Sequence, residues 1–233
     1  MPNKCPGEGS DVRDAVENAW SEVVATARRT VADGLVVGTS GNVSARVGDL
    51  VLVTPTGVPY DRLGPDDAVA VDVATGEQVR GTLRPTSELP THLAVYRATD
   101  ARAVVHTHAP HATAASTLVT KLPNVHYMAA ALGGRGGQVL VAGYALYGSD
   151  ELAREVLKAL RDGRTGCLMR NHGTLVHGDT LEQAYDRTAQ LEWMCRVWLL
   201  ARSGDGVPRT LSHRDMARVA DKLEGYGQDA PPR

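Results

Sequence analysis

The sequence predicts an α/β fold, a single-domain mixed and largely antiparallel sheet sandwiched between helices. Three observations carry this. Strand-length apolar runs alternate with helix-period stretches along the whole chain. The early strand-like runs come in pairs joined by short turns, at Gly48-Asp49 and around Thr75-Gly76, which is an antiparallel signal and disfavours a doubly wound parallel sheet. No repeat, low-complexity block or linker divides the 233 residues, a length that can bury one substantial core. The domain is placed at residues 11–227, between a flexible leader (1–10) without a hydrophobic signal core and a flexible tail (228–233).

The elements follow in order. Residues 11–33 repeat Val12, Val16, Ala19, Trp20, Val23, Ala27 and Val31 at three-and-four spacing, a helix that Ser10 or Asp11 can cap and Gly34 can end. "GNVSARVGDLVLVTPTG" alternates like paired strands, and "AVAVDVATGEQVRG" is a second hairpin. "PTSELPTHLAVYRATD" is helical if Pro90 falls in the first turn. "ARAVVHTH" reads as a buried strand, "APHATAASTLV" as a short helix and "GQVLVAGY" as another strand. "SDELAREVLKALRDG" is an amphipathic helix capped by Ser149, and "GCLMRNHG" is a strand ending at a histidine. "DTLEQAYDRTAQLEWMCRVWLLARS" is the longest helix, and "SHRDMARVADKLEGYG" is the last.

Composition excludes several partners. The chain is 42% apolar and 22% charged with a net charge of −2, so no basic field draws it to nucleic acid or an anionic membrane. No apolar run reaches 18 residues, so no spanning helix is expected. Cysteines at 5, 167 and 195 are odd in number and dispersed, which argues against a disulfide framework and for a reducing cytoplasm. Cys167 and Cys195 sit in apolar surroundings and are expected to be small core residues.

Of eight histidines, three fall in "VVHTHAPH" (104–111). In a strand, positions i and i+2 share a face about 7 Å apart, so His106 and His108 can converge on one ion. Solvent exposure is the plain alternative, but the valines before them suit a strand buried on both faces. His172, in "RNHG", stands at the rim of another apolar strand and offers a third imidazole. Three histidines and an open fourth position describe a catalytic zinc site. Glu88, at a helix start, can serve as acid or base, or can simply answer the helix dipole. His92 lies one turn further on and can be a ligand, a supporting donor or a packed surface residue. His111, His126, His177 and His213 are taken as structural or exposed.

Three short segments, "TSGN" (39–42), "TPTG" (54–57) and "PTS" (85–87), can offer N–H groups and hydroxyls to a phosphate, although each alone is an ordinary turn. No P-loop or dinucleotide fingerprint is present.

Taken together, "GTSGNVSARV", "LVTPTGVPYDRL", "LRPTSELPTHLAVYR", "DARAVVHTHAPH", "VHYMAAALGG" and "RNHG" occur in the order and spacing of the class II aldolase/adducin family. The chain resembles that family over roughly residues 12–228. The resemblance implies a zinc lyase that reversibly cleaves a ketose 1-phosphate into dihydroxyacetone phosphate and an aldehyde. It implies one Zn2+ per subunit on His106, His108 and His172, with Glu88 as acid/base and as a ligand of the resting metal. Phosphate contacts carry over onto Gly41, Asn42, Thr56, Gly57, Thr86 and Ser87, with Thr-Ser where Ser-Ser is usual. Tyr127 carries over as the proton donor to the aldehyde oxygen, Tyr226 as a closing residue, and Tyr147 replaces a usual phenylalanine of the aldehyde pocket. The family's C4 homotetramer, with sites between subunits, is expected here; the long apolar helix with Trp193 and Trp198 either offers surface for it or is simply core. The chemistry needs no Schiff-base lysine, and Lys4, Lys121, Lys158 and Lys222 all look exposed. Two alternatives stay open within the fold, a pentulose-phosphate 4-epimerase and a methylthioribulose-phosphate dehydratase. The aldolase-like stretch at 121–147 favours the lyase. A non-catalytic adducin-like binding module is a third reading, against which the histidines and Glu88 weigh. The aldehyde stays open among lactaldehyde, acetaldehyde and glycolaldehyde.

Overall fold

In the computed structural model, which describes residues 8–223, the first element is α1 (Glu8–Ala32). It starts three residues before the expected Asp11 and buries Val16, Trp20, Val23 and Ala27, one stripe of the helical period. The two foreseen hairpins form: β1 (Asn42–Val47) with β2 (Leu50–Val53), and β3 (Ala70–Asp72) with β4 (Gln78–Arg80). Then come α2 (Leu89–Ala98), with Pro90 in its first turn where a missing N–H breaks no bond, β5 (Ala103–Thr107) and α3 (Pro110–Leu118). A short β6 (Val141–Ala142) precedes α4 (Asp150–Ala159), whose first turn Ser149 caps by accepting the Leu152 N–H. β7 (Gly166–Met169) and β8 (Gly173–Gly178) lead into α5 (Leu181–Arg202), capped by Thr180, and α6 (His213–Leu223).

Among the described residues the strands make one sheet, ordered β4-β3-β2-β1-β5-β8-β7-β6, in which only β6 and β7 run parallel. Alternate residues feed opposite cores. Val51, Val53, Val71, Val104 and Leu175 face α2 and α4, while Leu52, Val43, Ala45 and Val105 face α1. Leu168 and Val176 continue the second layer beneath α5 and α6. The mixed, mostly antiparallel sheet between helices is therefore the fold the sequence predicts.

Two expectations are corrected and one open choice is decided. "GCLMRNHG" is not one strand: it turns at Arg170–His172, and the unforeseen β8 follows as a central strand between β5 and β7. "GQVLVAGY" contributes only the two residues of β6. Trp198 is 3% exposed, packed in this chain's own core, so only Trp193 of that pair offers surface. Cys167 and Cys195 are unpaired and buried, as expected.

The topology fixes where a site can form. β1, β2, β5 and β8 alternate in direction, so the start of β1, the end of β2, the end of β5 and the start of β8 all meet at one end of the sheet. Asn42 pairs with His106, and His106 with Leu175, in a single cross-strand row.

Candidate active site

Glu88, His106, His108 and His172 meet at that sheet end. Each offers one donor atom, and all four atoms lie within 4.8 Å of one another. His106 is the penultimate residue of the buried strand β5, and His108 lies just past its end. Their Nε2 atoms are 3.0 Å apart. His172 comes from the turn between β7 and β8, brought close by Gly173, where a Cβ would lie 2.0 Å from the Thr107 carbonyl oxygen. Gly41 fits the same end as tightly; a Cβ there would lie 2.8 Å from the His106 carbonyl oxygen. Glu88 occupies the N-cap position of α2, where the helix dipole favours a carboxylate.

The hydrogen bonds orient these groups. His106 Nδ1–H donates to the Thr174 carbonyl at 2.7 Å, which turns its Nε2 into the cluster. There Nε2 lies 2.7 Å from Glu88 Oε2, while His172 Nε2 lies 3.4 Å from Glu88 Oε1. Glu88 Oε1 is buried without a hydrogen-bond partner. An unpartnered buried carboxylate oxygen amid imidazole nitrogens calls for a positive charge at the centre, which a metal ion supplies when bound and a proton on His106 Nε2 supplies otherwise. A tetrahedral site with bonds of about 2.1 Å spaces its donors about 3.4 Å apart, close to the spacings here. The residues fit a metal ion, and three imidazoles with one carboxylate are a borderline-soft set of the kind zinc takes.

The electrostatics agree. Burial works to raise the Glu88 carboxyl, but His106, His172 and the Asn42 amide outweigh it and hold the group well below the usual carboxylate range. Burial likewise opposes charge on His106, and the Glu88 carboxylate overcomes it, raising that imidazole above its ordinary value. His108 is lowered to about 3 and His172 to about 4, by burial first and then by the charge at His106. Both are therefore neutral lone-pair donors at physiological pH.

Beside the cluster is a cavity of about 260 Å³, lined by Glu88, His108 and His172 together with Gly41, Asn42, Thr56, Thr86, Ser87 and Tyr147. Two of the expected anion segments are joined there. Thr56 N–H donates to the Arg84 carbonyl and Thr86 N–H to the Thr54 carbonyl, at 3.0 and 3.1 Å. Their amides are thus engaged, and their hydroxyls are what they offer an anion. Gly57 does not line the cavity. Tyr127 is 50% exposed and stands apart, its ring 4.5 Å from that of His126. Tyr226 lies outside the described residues. Among the described residues no lysine lines the cavity; Lys121, Lys158 and Lys222 are exposed.

Thr39, Ser40 and Pro55 also line the cavity; they lie within the two anion segments read from the sequence but were not singled out there. Sequence reasoning left His92 open. The structure makes His92 fully buried support, bonded to Asn42 and Ser44 rather than to the cluster, and burial lowers its pKa to about 3. His111 pairs with Glu192, whose carboxylate also accepts the His111 and Ala112 N–H groups at the start of α3.

Sheet, cluster and cavity fit a metal-dependent enzyme, and sequence comparison gives its class. Residues 21–199 match the family described as "Class II Aldolase and Adducin N-terminal domain", and the chain belongs to that family. It is 40% identical over 196 residues to the L-fuculose phosphate aldolase of Escherichia coli, covering 83% of this chain and 88% of that protein. It is 36% identical over 210 residues to the 5-methylthioribulose-1-phosphate/5-deoxyribulose-1-phosphate aldolase of Rhodospirillum rubrum, covering 89% and 92%. A solved L-fuculose 1-phosphate aldolase superimposes with a TM-score of 0.84 at 32% identity, covering 89% of this chain and 96% of that one. The chain is a class II aldolase.

Proposed function

We propose that the chain is a zinc-dependent aldehyde-lyase that splits a ketose 1-phosphate into dihydroxyacetone phosphate and an aldehyde. The observation that carries this reading is the cluster of Glu88, His106, His108 and His172 opening onto a cavity walled by hydroxyls and an amide. His106, His108 and His172 hold one zinc per subunit, and Glu88 joins them in the resting state. When bound, zinc supplies Lewis acidity, which stabilises the negative charge left on a ketone when the neighbouring C–C bond breaks.

The protein's own residues do the rest. The hydroxyls of Thr56, Thr86 and Ser87, with Asn42 and Gly41, hold the phosphate and so place the hydroxymethyl carbon near Glu88. Gly57 closes the same turn. In the synthetic direction Glu88 takes a proton from that carbon and the C–H electron pair moves into the ketone; in cleavage Glu88 returns the proton. Tyr147, 64% exposed at the cavity mouth, meets the aldehyde. Tyr127 supplies the proton for the aldehyde oxygen. Because it does not line its own chain's cavity, it reaches one across a subunit boundary, which ties its role to a C4 homotetramer. Tyr226 closes the site from the tail. The Rhodospirillum rubrum relative and the solved fuculose aldolase are both named for sugar 1-phosphates, which supports fuculose-type or 5-deoxypentulose-type substrates. The buried, unpaired cysteines suit a cytoplasmic home, and no helix among the described residues is long and apolar enough to cross a membrane.

The test is deuterium exchange at the hydroxymethyl carbon of dihydroxyacetone phosphate, followed by NMR in D2O. Glu88→Gln keeps the shape without the base, so it should retain zinc and lose exchange by about 10²–10⁴-fold. Normal exchange in that variant would remove Glu88 from the role.

A further inference from the structure

Between β1 and α2 runs a ladder of buried polar side chains, of which the proposed chemistry uses Glu88 and Asn42 but not His92, Ser44 or Tyr96. Asn42 and Ser44 are two residues apart on β1 and share its α2-facing side. Glu88, His92 and Tyr96 are four apart and share one face of α2. Strand pairs repeat about every 7 Å and helix turns about every 5.4 Å, so the two rows interleave. The order is Glu88, Asn42, His92, Ser44, Tyr96, with contacts of 3.0 Å, 2.5 Å, 2.6 Å and 2.8 Å. Asn42, Ser44, His92 and Tyr96 are at most 4% exposed, so water does not supply alternatives.

Proton accounting along the ladder has one solution. Asn42 Nδ2 must face Glu88 Oε2, because its carbonyl oxygen there would oppose a carboxylate. Asn42 Oδ1 then accepts, so His92 carries its proton on Nε2. His92 Nδ1 therefore accepts from the Ser44 hydroxyl, whose oxygen accepts from Tyr96. An amide alone does not discriminate its two ends by shape; its partners set the orientation.

We propose that His92 is a positioning residue, which locks the Asn42 amide so that its NH2 grips Glu88 Oε2 and holds the carboxylate where it exchanges a proton with substrate. The inference rests on Glu88 being the acid/base. Outer-shell partners of this kind typically change activity or metal affinity by about 10–100-fold when removed.

Two substitutions separate positioning from packing. His92→Gln carries an amide N–H out to where the imidazole Nε2 lay, and keeps a donor for Asn42. His92→Asn is shorter; it keeps a contact to Ser44 and loses that donor. Both disturb the core similarly. On the full-length zinc-loaded enzyme, His92→Asn should exchange the protons of dihydroxyacetone phosphate about 10–100-fold more slowly, with its zinc content retained. His92→Gln should recover most of the rate at a similar Tm. Equal exchange in the two variants, or exchange that follows Tm alone, overturns the inference. Should His92→Asn fail to fold, Ser44→Ala takes its place: it removes the donor that fixes the His92 tautomer, and normal exchange in it is the overturning result. Glu88→Gln run beside them distinguishes the failures. If it exchanges normally, the base assignment falls and the His92 role falls with it. If it is dead while His92→Asn is unimpaired, only the His92 role falls.

Discussion

Gly173→Ala carries no change to any donor atom, yet it should loosen the metal cluster. The added Cβ would lie 2.0 Å from the Thr107 carbonyl oxygen, 3.0 Å from the Thr107 carbonyl carbon and 3.1 Å from His108 Cα. All three are backbone atoms, so no side chain can swing away. A carbon-to-oxygen contact settles near about 3.3 Å, so the start of β8 and the end of β5 must part by about 1.3 Å. Such overpacking costs about 1–3 kcal/mol. For a chain of this size that corresponds to a fall in Tm of about 2–12 °C. The same displacement separates His172 from His108, whereas zinc bonds tolerate about 0.2 Å. Zinc affinity should therefore fall by about 10–100-fold. Chelator competition at neutral pH reads the affinity and thermal unfolding reads the Tm. Gly204→Ala, where an added Cβ meets nothing within 4 Å, is the control and should change neither. A lowered Tm with wild-type zinc affinity would refute the idea that this close approach is what holds His172 in place.

The other predictions concern acid, tail and assembly. His92 is neutral when folded, its pKa lowered to about 3 by burial, whereas the unfolded chain binds that proton near pH 6.5. Stability is therefore lost as pH falls through 6.5, by about 2 kcal/mol at pH 5; denaturant unfolding at pH 7 and 5 should show that loss shrinking in His92→Asn, and an unchanged loss would contradict it. Deleting residues 224–233 should spare zinc and the exchange of dihydroxyacetone phosphate protons but slow cleavage, by about 10²–10⁴-fold if Tyr226 donates a proton and by less if it only shields the site; cleavage at the full rate would leave Tyr226 without a role. Light scattering at micromolar concentration should give a tetramer, in which Tyr127→Phe slows cleavage and spares exchange; a monomer would leave Tyr127 with no site to reach.

Much of this was legible in the sequence, and the misses have physical causes. The helices announced themselves by period and caps, as Ser149 ahead of α4 shows. The hairpins announced themselves by turns. β8 was missed because it is buried on both faces, so "GTLVHG" shows no alternation, and because its turn from β7 spans only Arg170–His172, with Asn171 in the left-handed region at φ 54°. The histidines of the cluster were readable because His-X-His at the end of an apolar strand has few other uses. The ladder behind Glu88 was not, although Glu88, His92 and Tyr96 share a helical face and Asn42 and Ser44 share a strand face. Each row was visible alone; only the packing of α2 on β1 shows that they interleave. Tyr127 is 50% exposed and does not line the cavity of its own chain, so the geometry of one chain gives it no partner in the site.

The most direct measurement is dihydroxyacetone phosphate released from a panel of ketose 1-phosphates by the zinc-loaded enzyme, by the same protein stripped with chelator, and after zinc is restored. The panel should include fuculose, rhamnulose and 5-deoxypentulose 1-phosphates. Release from at least one member, abolished by stripping and regained with zinc, is the expected result. No release from any member, or release that persists at full rate in the metal-free protein, would contradict the assignment of a zinc-dependent ketose 1-phosphate aldolase.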